Sequence, residues 1–123
     1  MGSKIALVTG AGKRLGAAIA KALATDGYKI WVHFNRSAGE AGRTVEDIRT
    51  AGGEAEAVQF DLAETASLPQ LVRGLGQIDV LVNSASVFDH DTADRLDPAD
   101  MQRILNINLV APCLLASVMA EAH

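Results

Sequence analysis

The sequence predicts an α/β fold, a doubly wound parallel sheet of about four strands with helices flanking it. Three observations predict it. Four short β-type runs, Lys4–Thr9, Lys29–Phe34, Ala55–Phe60 and Ile78–Asn83, recur at regular spacing. The first and last are nearly continuous in apolar residues, as strands covered on both faces are. Helical patterns fill the gaps, and strand–helix alternation of this kind implies right-handed crossovers within one sheet.

The first strand leads into a glycine-rich turn and then a helix over Arg14–Asp26, with Leu15, Ala18, Ile19, Ala22 and Leu23 on one stripe and Gly27 as its stop. Ser37 is placed to cap a second helix that runs to about Ala51, before Gly52 and Gly53. A third helix begins near Glu64 or Ser67, because Pro69 fits only its first turn. Ser84–Leu96 is polar and acidic and reads as a loop. Asp97-Pro98 then opens a fourth helix, with a capping carboxylate and a proline at the first helical position. Pro112 is expected to kink that helix or leave one carbonyl without its usual partner. Ligands of open parallel sheets bind at the carboxyl ends of the strands, and Thr9, Asn35, Asp61 and Asn83 all fall there.

The bulk composition narrows the function. The 123 residues suit one domain, 1–123, with an aliphatic core, since aromatics make up only 4%. A net charge of −4 argues against a general nucleic-acid binder but not against one small phosphorylated ligand. Cys113 is the only cysteine, so no internal disulfide forms, and its apolar neighbours predict a buried, inert thiol. The N-terminus lacks a signal-peptide layout, and no apolar stretch is read as reaching the ~18 residues of a membrane span. The expectation is a soluble cytoplasmic protein without membrane partners. His33, His90 and His123 lack the spacing of paired metal ligands.

The turn Thr9-Gly10-Ala11-Gly12-Lys13-Arg14-Leu15-Gly16 carries the chemistry. Gly10 permits a sharp turn out of the strand, Gly12 a close backbone approach to phosphate, and Gly16 close packing of the helix that follows. The helix start, including Arg14 and Leu15, points free N–H groups at a pyrophosphate. The second strand ends His33-Phe34-Asn35-Arg36-Ser37 and has no carboxylate, where NAD-specific domains place an acid on the ribose. Arg36 and Arg14 can grip a 2′-phosphate from two sides and Ser37 adds a hydroxyl, which favours NADP. Asp61 can accept from an adenine amino group with Leu62 beside the ring, or cap the following helix, or do both. Asn83 can bridge neighbouring strand ends, and the small Ala85 leaves room for a ribose.

Together these segments resemble the N-terminal half of the short-chain dehydrogenase/reductase family. The turn is similar to that family's T-G-x-x-x-G-x-G, with Arg14 where the second motif glycine stands, as in its pteridine-reductase-like branch. Asn83-Ser84-Ala85-Ser86 resembles its Asn-Asn-Ala-Gly, with Ser84 and Ser86 as departures. Asn108-Leu109-Val110-Ala111-Pro112 resembles its Asn-x-x-(Gly/Ala)-Pro segment. The resemblance implies a Rossmann-type fold, NADP (NADPH) as cofactor, and hydride transfer to or from a carbonyl or pterin-like small molecule. It makes Asn108 the one member of the Asn, Ser, Tyr, Lys tetrad represented, and it puts Val87, Phe88 and Asp89 on the substrate pocket. Asn106 is better explained as an Asn bonded to backbone at a kink.

The only tyrosine is Tyr28, and no Tyr-x-x-x-Lys occurs in the sequence. The chain is therefore expected to stop before the catalytic segment, to be inactive alone, and to leave an open edge on the fourth strand. It would then associate as a homo-oligomer or with a missing C-terminal half. Two other readings stand beside this one: a non-catalytic NADP-binding module, and a methyltransferase-like fold, against which Asn35-Arg36 speaks because that fold wants an acid there.

Overall fold

The computed structural model describes residues 4–87 and 97–121. Four strands, β1 (Ile5–Thr9), β2 (Lys29–Phe34), β3 (Ala55–Gln59) and β4 (Val80–Asn83), form one sheet in the order β3-β2-β1-β4. Every pairing is parallel, and Ala6 of β1 lies opposite both Ile30 and Val80. The chain winds outward from β1 to β3, then crosses back to β4 on the other side of β1. That reversal opens a crevice above the carboxyl ends of β1 and β4. The predicted doubly wound sheet is the fold observed.

Two cores follow from the period-2 alternation of the strands. On one face Ala6, Val8, Ile30 and Val32 meet Ala20 of α1 (Arg14–Thr25) and Ala41, Val45 and Ile48 of α2 (Ala38–Thr50). On the other, Leu7 meets Leu68 and Val72 of α3 (Leu68–Gly74), which follows a 3₁₀ turn at Thr65–Ser67. The same face takes Ile107, Ala111, Leu115 and Val118 from the last helical segment. That segment is α4 (Pro98–Leu105), a π turn (Asn106–Val110) and α5 (Ala111–Glu121) in direct succession.

The structure corrects several expectations. The buried residues of α1 are Gly16 and Ala20, while Ala18 and Ala22 are exposed and Leu15 is 68% exposed. The helix lies so close to β1 and β2 that only small residues fit beneath it, and the larger ones mark its flank. Ser37 and Asp97 stand at their N-cap positions without a side-chain capping bond. Ser37 has ψ of 55°, outside the extended region from which a hydroxyl reaches the first turn, and in both cases the residue's carbonyl starts the helix instead. β1 is buried on both faces, but β4 is only half-buried because it is the edge of the sheet. Cys113 is exposed, since Ala111, Leu115 and Val118 take the core-facing positions around it.

Pro112 has its predicted effect through the π turn just before it. Ala111 N–H reaches back five residues to the Asn106 carbonyl, and Pro112 has no N–H to offer Asn108. Asn106 is half-buried rather than buried, and its amide is bonded at that turn: its Nδ2 donates to the Ala63 carbonyl at 3.3 Å and its Oδ1 accepts from Gln102 at 2.7 Å. The whole run Pro98–Glu121 is, by length and composition, long and apolar enough to cross a membrane, contrary to the sequence reading. The run escaped notice because Asn106 and Asn108 break its apolar pattern. Here its inner face packs into the core beside Leu7 and Leu68.

The reassigned face of α1 has a direct test. Ala20→Leu should destabilise the fold by about 1–3 kcal/mol through overpacking. Leu15→Ala should change stability by no more than about 0.5 kcal/mol, as surface substitutions do. Thermal melts of the two variants check both, and equal losses would refute the assignment.

Candidate functional site

The turn from Thr9 to Gly16 is built by close approach. Gly10 adopts φ of +62°, and a Cβ there would lie 2.9 Å from the Ala85 Cα. A Cβ on Gly16 would overlap the Gly10 carbonyl oxygen, so the helix can begin this near the strand only with glycine. Gly12 faces α2: its missing Cβ would sit 3.0 Å from the Ala41 nitrogen. Arg14 takes φ of +42°, and it is the only described non-glycine residue at positive φ. An L-residue pays about 1–2 kcal/mol for that conformation.

Neighbouring elements fix the turn. Gly10 N–H donates to His33 Nδ1 at 3.1 Å and Ala11 N–H donates to the His33 carbonyl at 3.0 Å. Thr44 of α2 donates its hydroxyl to the Ala11 carbonyl at 3.1 Å. Thr9 Oγ1 accepts the N–H groups of Ser84 and Ala85, both at 3.1 Å, and donates to the Val82 carbonyl. Thr9 thus bridges the ends of β1 and β4, a task the sequence suggested for Asn83. Among the described residues the Asn83 side chain makes no hydrogen bond. The N–H groups of Gly12, Lys13, Arg14 and Leu15 have no acceptor among the described residues, and α1 has no side-chain cap.

These elements surround a cleft of about 750 Å³. Gly10, Gly12, Arg14, Leu15, Gly16, Asn35, Arg36, Ser37, Asp61, Leu62 and Ala85 all line it, as does Val87. Asn83 does not, and Phe88 and Asp89 lie outside the described residues. Lys13, His33, Phe34, Ser84, Ser86, Arg103 and Ile107 also line the cleft and were missed. A signal for His33 was present: it is an ionisable residue inside an otherwise apolar strand run. Arg103 and Ile107 come from a distant helix, and nothing local marks them.

Among the described residues the charge of the cleft is basic. Arg14 and Arg36 make no ion pair among the described residues, and Lys13 stands 4.0 Å from Glu40. Asp61 is the one lining carboxylate among the described residues; its Oδ1 accepts Ala63 N–H at 2.9 Å in a local turn, and it does not cap the following helical turn, Thr65–Ser67, which has no side-chain cap. Asn35 accepts from Gln59 at 3.2 Å. Asn108 lies on the π turn with its amide paired to the backbone of Val87: Oδ1 accepts Val87 N–H at 2.9 Å and Nδ2 donates to the Val87 carbonyl at 2.8 Å. The amide therefore holds the loop after β4 against the last helix. His33 is 2% exposed, and burial lowers its pKa from the ordinary 6.5 despite the Phe60 carbonyl and nearby Asp61.

Thr9→Val is nearly isosteric but removes the acceptor for two N–H groups. We expect a loss of roughly 1–3 kcal/mol per stranded donor, read in denaturant unfolding, with Thr9→Ser restoring most of it. A valine variant as stable as the parent would show that water replaces the hydroxyl at no cost.

The chain was compared with known proteins. The family model for short chain dehydrogenases matches residues 4–122. An uncharacterized oxidoreductase of Methylorubrum extorquens is 40% identical over 98% of this chain and 50% of its own length. A short-chain dehydrogenase/reductase homolog of Bacillus subtilis is 40% identical over 79% of this chain and 93% of its own. The chain spans about half the length, or less, of most of the curated relatives it matches. Among solved structures, a metagenomic short-chain oxidoreductase in complex with NADP superposes with a TM-score of 0.90 at 33% identity, over 97% of this chain and 56% of that one. The FolM alternative dihydrofolate reductase 1 of Brucella canis, complexed with NADP, gives 0.88 at 36% identity, over 98% of this chain and 49% of that one. With its family match, fold and glycine turn in agreement, the chain belongs to the short-chain dehydrogenase family.

Proposed function

We propose that this chain binds NADP(H) in the cleft and forms the cofactor-binding part of an NADP-dependent oxidoreductase. One observation carries the reading: Arg14 and Arg36 line the same cleft, neither in an ion pair among the described residues, and the end of β2 offers Asn35 instead of an acid. The residues fit the cofactor in two further ways. The volume of about 750 Å³ suits a molecule of that size. The free N–H groups from Gly12 to Leu15 are directed donors for a pyrophosphate.

In this reading Arg14, Arg36 and Ser37 hold the 2′-phosphate. Asp61 and Leu62 border the adenine, and Ala85 gives the ribose room beside Gly10. Asn83 completes the rim at the end of β4. Asn108 keeps Val87 and its loop at the substrate end. NADPH supplies a hydride when bound, and the substrate class that fits the family resemblance is a carbonyl or pterin-like small molecule. The likeness to an alternative dihydrofolate reductase supports the pterin variant of that reading.

A second reading, a non-catalytic NADP-binding module, rests on the sequence itself. Tyr28 is followed at once by Lys29, and no Tyr-x-x-x-Lys is available among the 123 residues to move a proton. Residues 1–123 then contribute cofactor binding and the Asn108 anchor alone. Association with a second copy or with a complementary half is supported by the edge of β4, unpaired among the described residues, and by Met101, Leu105 and Leu109. Those three recur on one helix face and are 41%, 47% and 57% exposed. A cytoplasmic setting accompanies this reading.

Fluorescence titration of the chain with NADPH and NADH tests the assignment. NADPH should bind at least about tenfold tighter, and Arg36→Leu should erase most of that difference, since a charged hydrogen bond contributes about 1.5–3 kcal/mol. Arg14→Gly should also weaken NADPH while stabilising the fold by relieving positive φ. Equal affinity for the two cofactors would refute the phosphate assignment, and turnover of a quinone or pterin by the chain alone would refute the cofactor-only reading.

A further inference from the structure

We propose that His33 is a positioning residue for cofactor binding: its neutral imidazole holds the glycine turn in register through Gly10 N–H, so the site is assembled only while that ring is uncharged. The inference rests on the cofactor reading above and adds a residue and a condition to it.

The hydrogen-bond partners fix the protonation state. Gly10 N–H can only donate, so His33 Nδ1, at 3.1 Å, must be the bare nitrogen. The Phe60 carbonyl can only accept, so Nε2, at 2.8 Å, must carry the proton. The imidazole is therefore wedged between the turn after β1 and the end of β3, while its own strand supplies the carbonyl that takes Ala11 N–H at 3.0 Å. The Phe60 ring packs on it with centroids 4.1 Å apart, leaving little freedom to flip. With both N–H groups at Gly10 and Ala11 committed to His33, the next free donors, from Gly12 onward, face the cleft. Orientation of the phosphate-facing amides thus follows from how this histidine holds the two before them.

A second proton would destroy the arrangement. The imidazolium has a donor at Nδ1, which then confronts the Gly10 N–H, donor against donor. The residue is 2% exposed, so burial opposes the added charge. Among the described residues the charged groups lining the same cleft are Asp61 beyond β3, Lys13 and Arg14 on the turn, Arg36 after β2 and Arg103 of α4; Glu40 on α2 engages Lys13. Only Asp61 among the cleft-lining groups favours the cation, and burial outweighs it. The folded-state pKa lies below the ordinary 6.5, so the neutral ring's contribution is complete above that value. It is lost as pH falls from there through the lowered folded pKa.

Two measurements on the whole chain test this. Long-range nitrogen–proton correlation of the imidazole, with Gly10 amide exchange, reads the ring directly without cofactor. The expected result is an Nε2–H tautomer at neutral pH, a titration displaced to the acid side, and faster Gly10 exchange as the ring protonates. An Nδ1–H tautomer, or Gly10 exchange indifferent to the ring's charge, would overturn the proposal. The second measurement is NADP⁺ affinity across pH in three proteins. His33→Asn keeps an acceptor at the Nδ1 position, and His33→Gln keeps only the donor toward Phe60. At neutral pH the Asn variant should bind within about threefold of the parent and the Gln variant about tenfold more weakly, as loss of a buried acceptor predicts. Because the 2′-phosphate itself titrates near pH ~6, the informative quantity is the difference between parent and Asn variant, and the parent should lose more affinity in acid. Identical pH profiles, or Asn and Gln variants equally impaired, would overturn it. If the parent binds neither NADP nor NAD, the cofactor reading fails, while the imidazole and Gly10 measurements still decide whether His33 holds the turn.

Discussion

The overlap that a single Cβ on Gly16 would create with the Gly10 carbonyl sets the geometry of this molecule. Because it is absent, α1 starts directly against the end of β1 and lies low on the sheet. That closeness demands small residues along the buried face, and Ala20 of α1, Ala41 of α2 and Ala6 of β1 supply them, all fully buried. It also aims the uncapped start of α1 into the crevice, where the free amides from Gly12 to Leu15 lie. Packing and ligand geometry have one cause here, so a change at this contact alters both.

The other face of the sheet follows a different rule. Leu7, Leu68 and Leu115 are buried there with Phe60, and the layer is thick and aliphatic. No ligand element depends on close approach on that side. The helix that covers it carries a π turn, and this irregularity serves the cleft: it sets Asn106 on the Ala63 carbonyl and Asn108 on both backbone groups of Val87. Two asparagines in an apolar helix thus tie the segments after β3 and β4 to a third element. The extra turn residue offsets what Pro112 removes from the ordinary helix ladder.

The strand–helix alternation, the glycine turn and most of the cleft lining were legible because they depend on local pattern: apolar runs, glycine spacing, and residues at strand ends. What escaped the sequence depends on what lies opposite. The hydrophobic stripe of α1 was drawn through Leu15, Ala18, Ile19, Ala22 and Leu23, centred on the large residues at four-residue spacing, whereas tight packing selects Gly16 and Ala20. Cys113 sits among apolar neighbours in sequence yet is exposed, because the neighbours that matter are across the helix interface. Ser37 has capping chemistry without a capping bond, because a cap needs a particular backbone angle as well as a particular side chain; Asp97 has the extended backbone and still makes no capping bond. His33 was passed over as one residue of a strand, although its role comes from contacts with residues 23 before it and 27 after it.

Arg14 shows how such a site is balanced. At φ of +42° a glycine would relax the turn, and the strain of a side chain there costs about 1–2 kcal/mol. Arg14 is also exposed and without an ion pair among the described residues, so nothing in the fold itself offsets that cost. A strained residue that contributes no stabilising contact implies a role outside folding. Its position on the cleft wall, with Arg36 and the free amides, makes an anionic ligand the natural counterpart. Strain at Arg14, the neutral ring of His33 and the absent Cβ of Gly16 then act on the same few peptide units. The cost of the first is offset by contact with the ligand, the second holds the turn ready for it, and the third brings the helix start close enough to meet it.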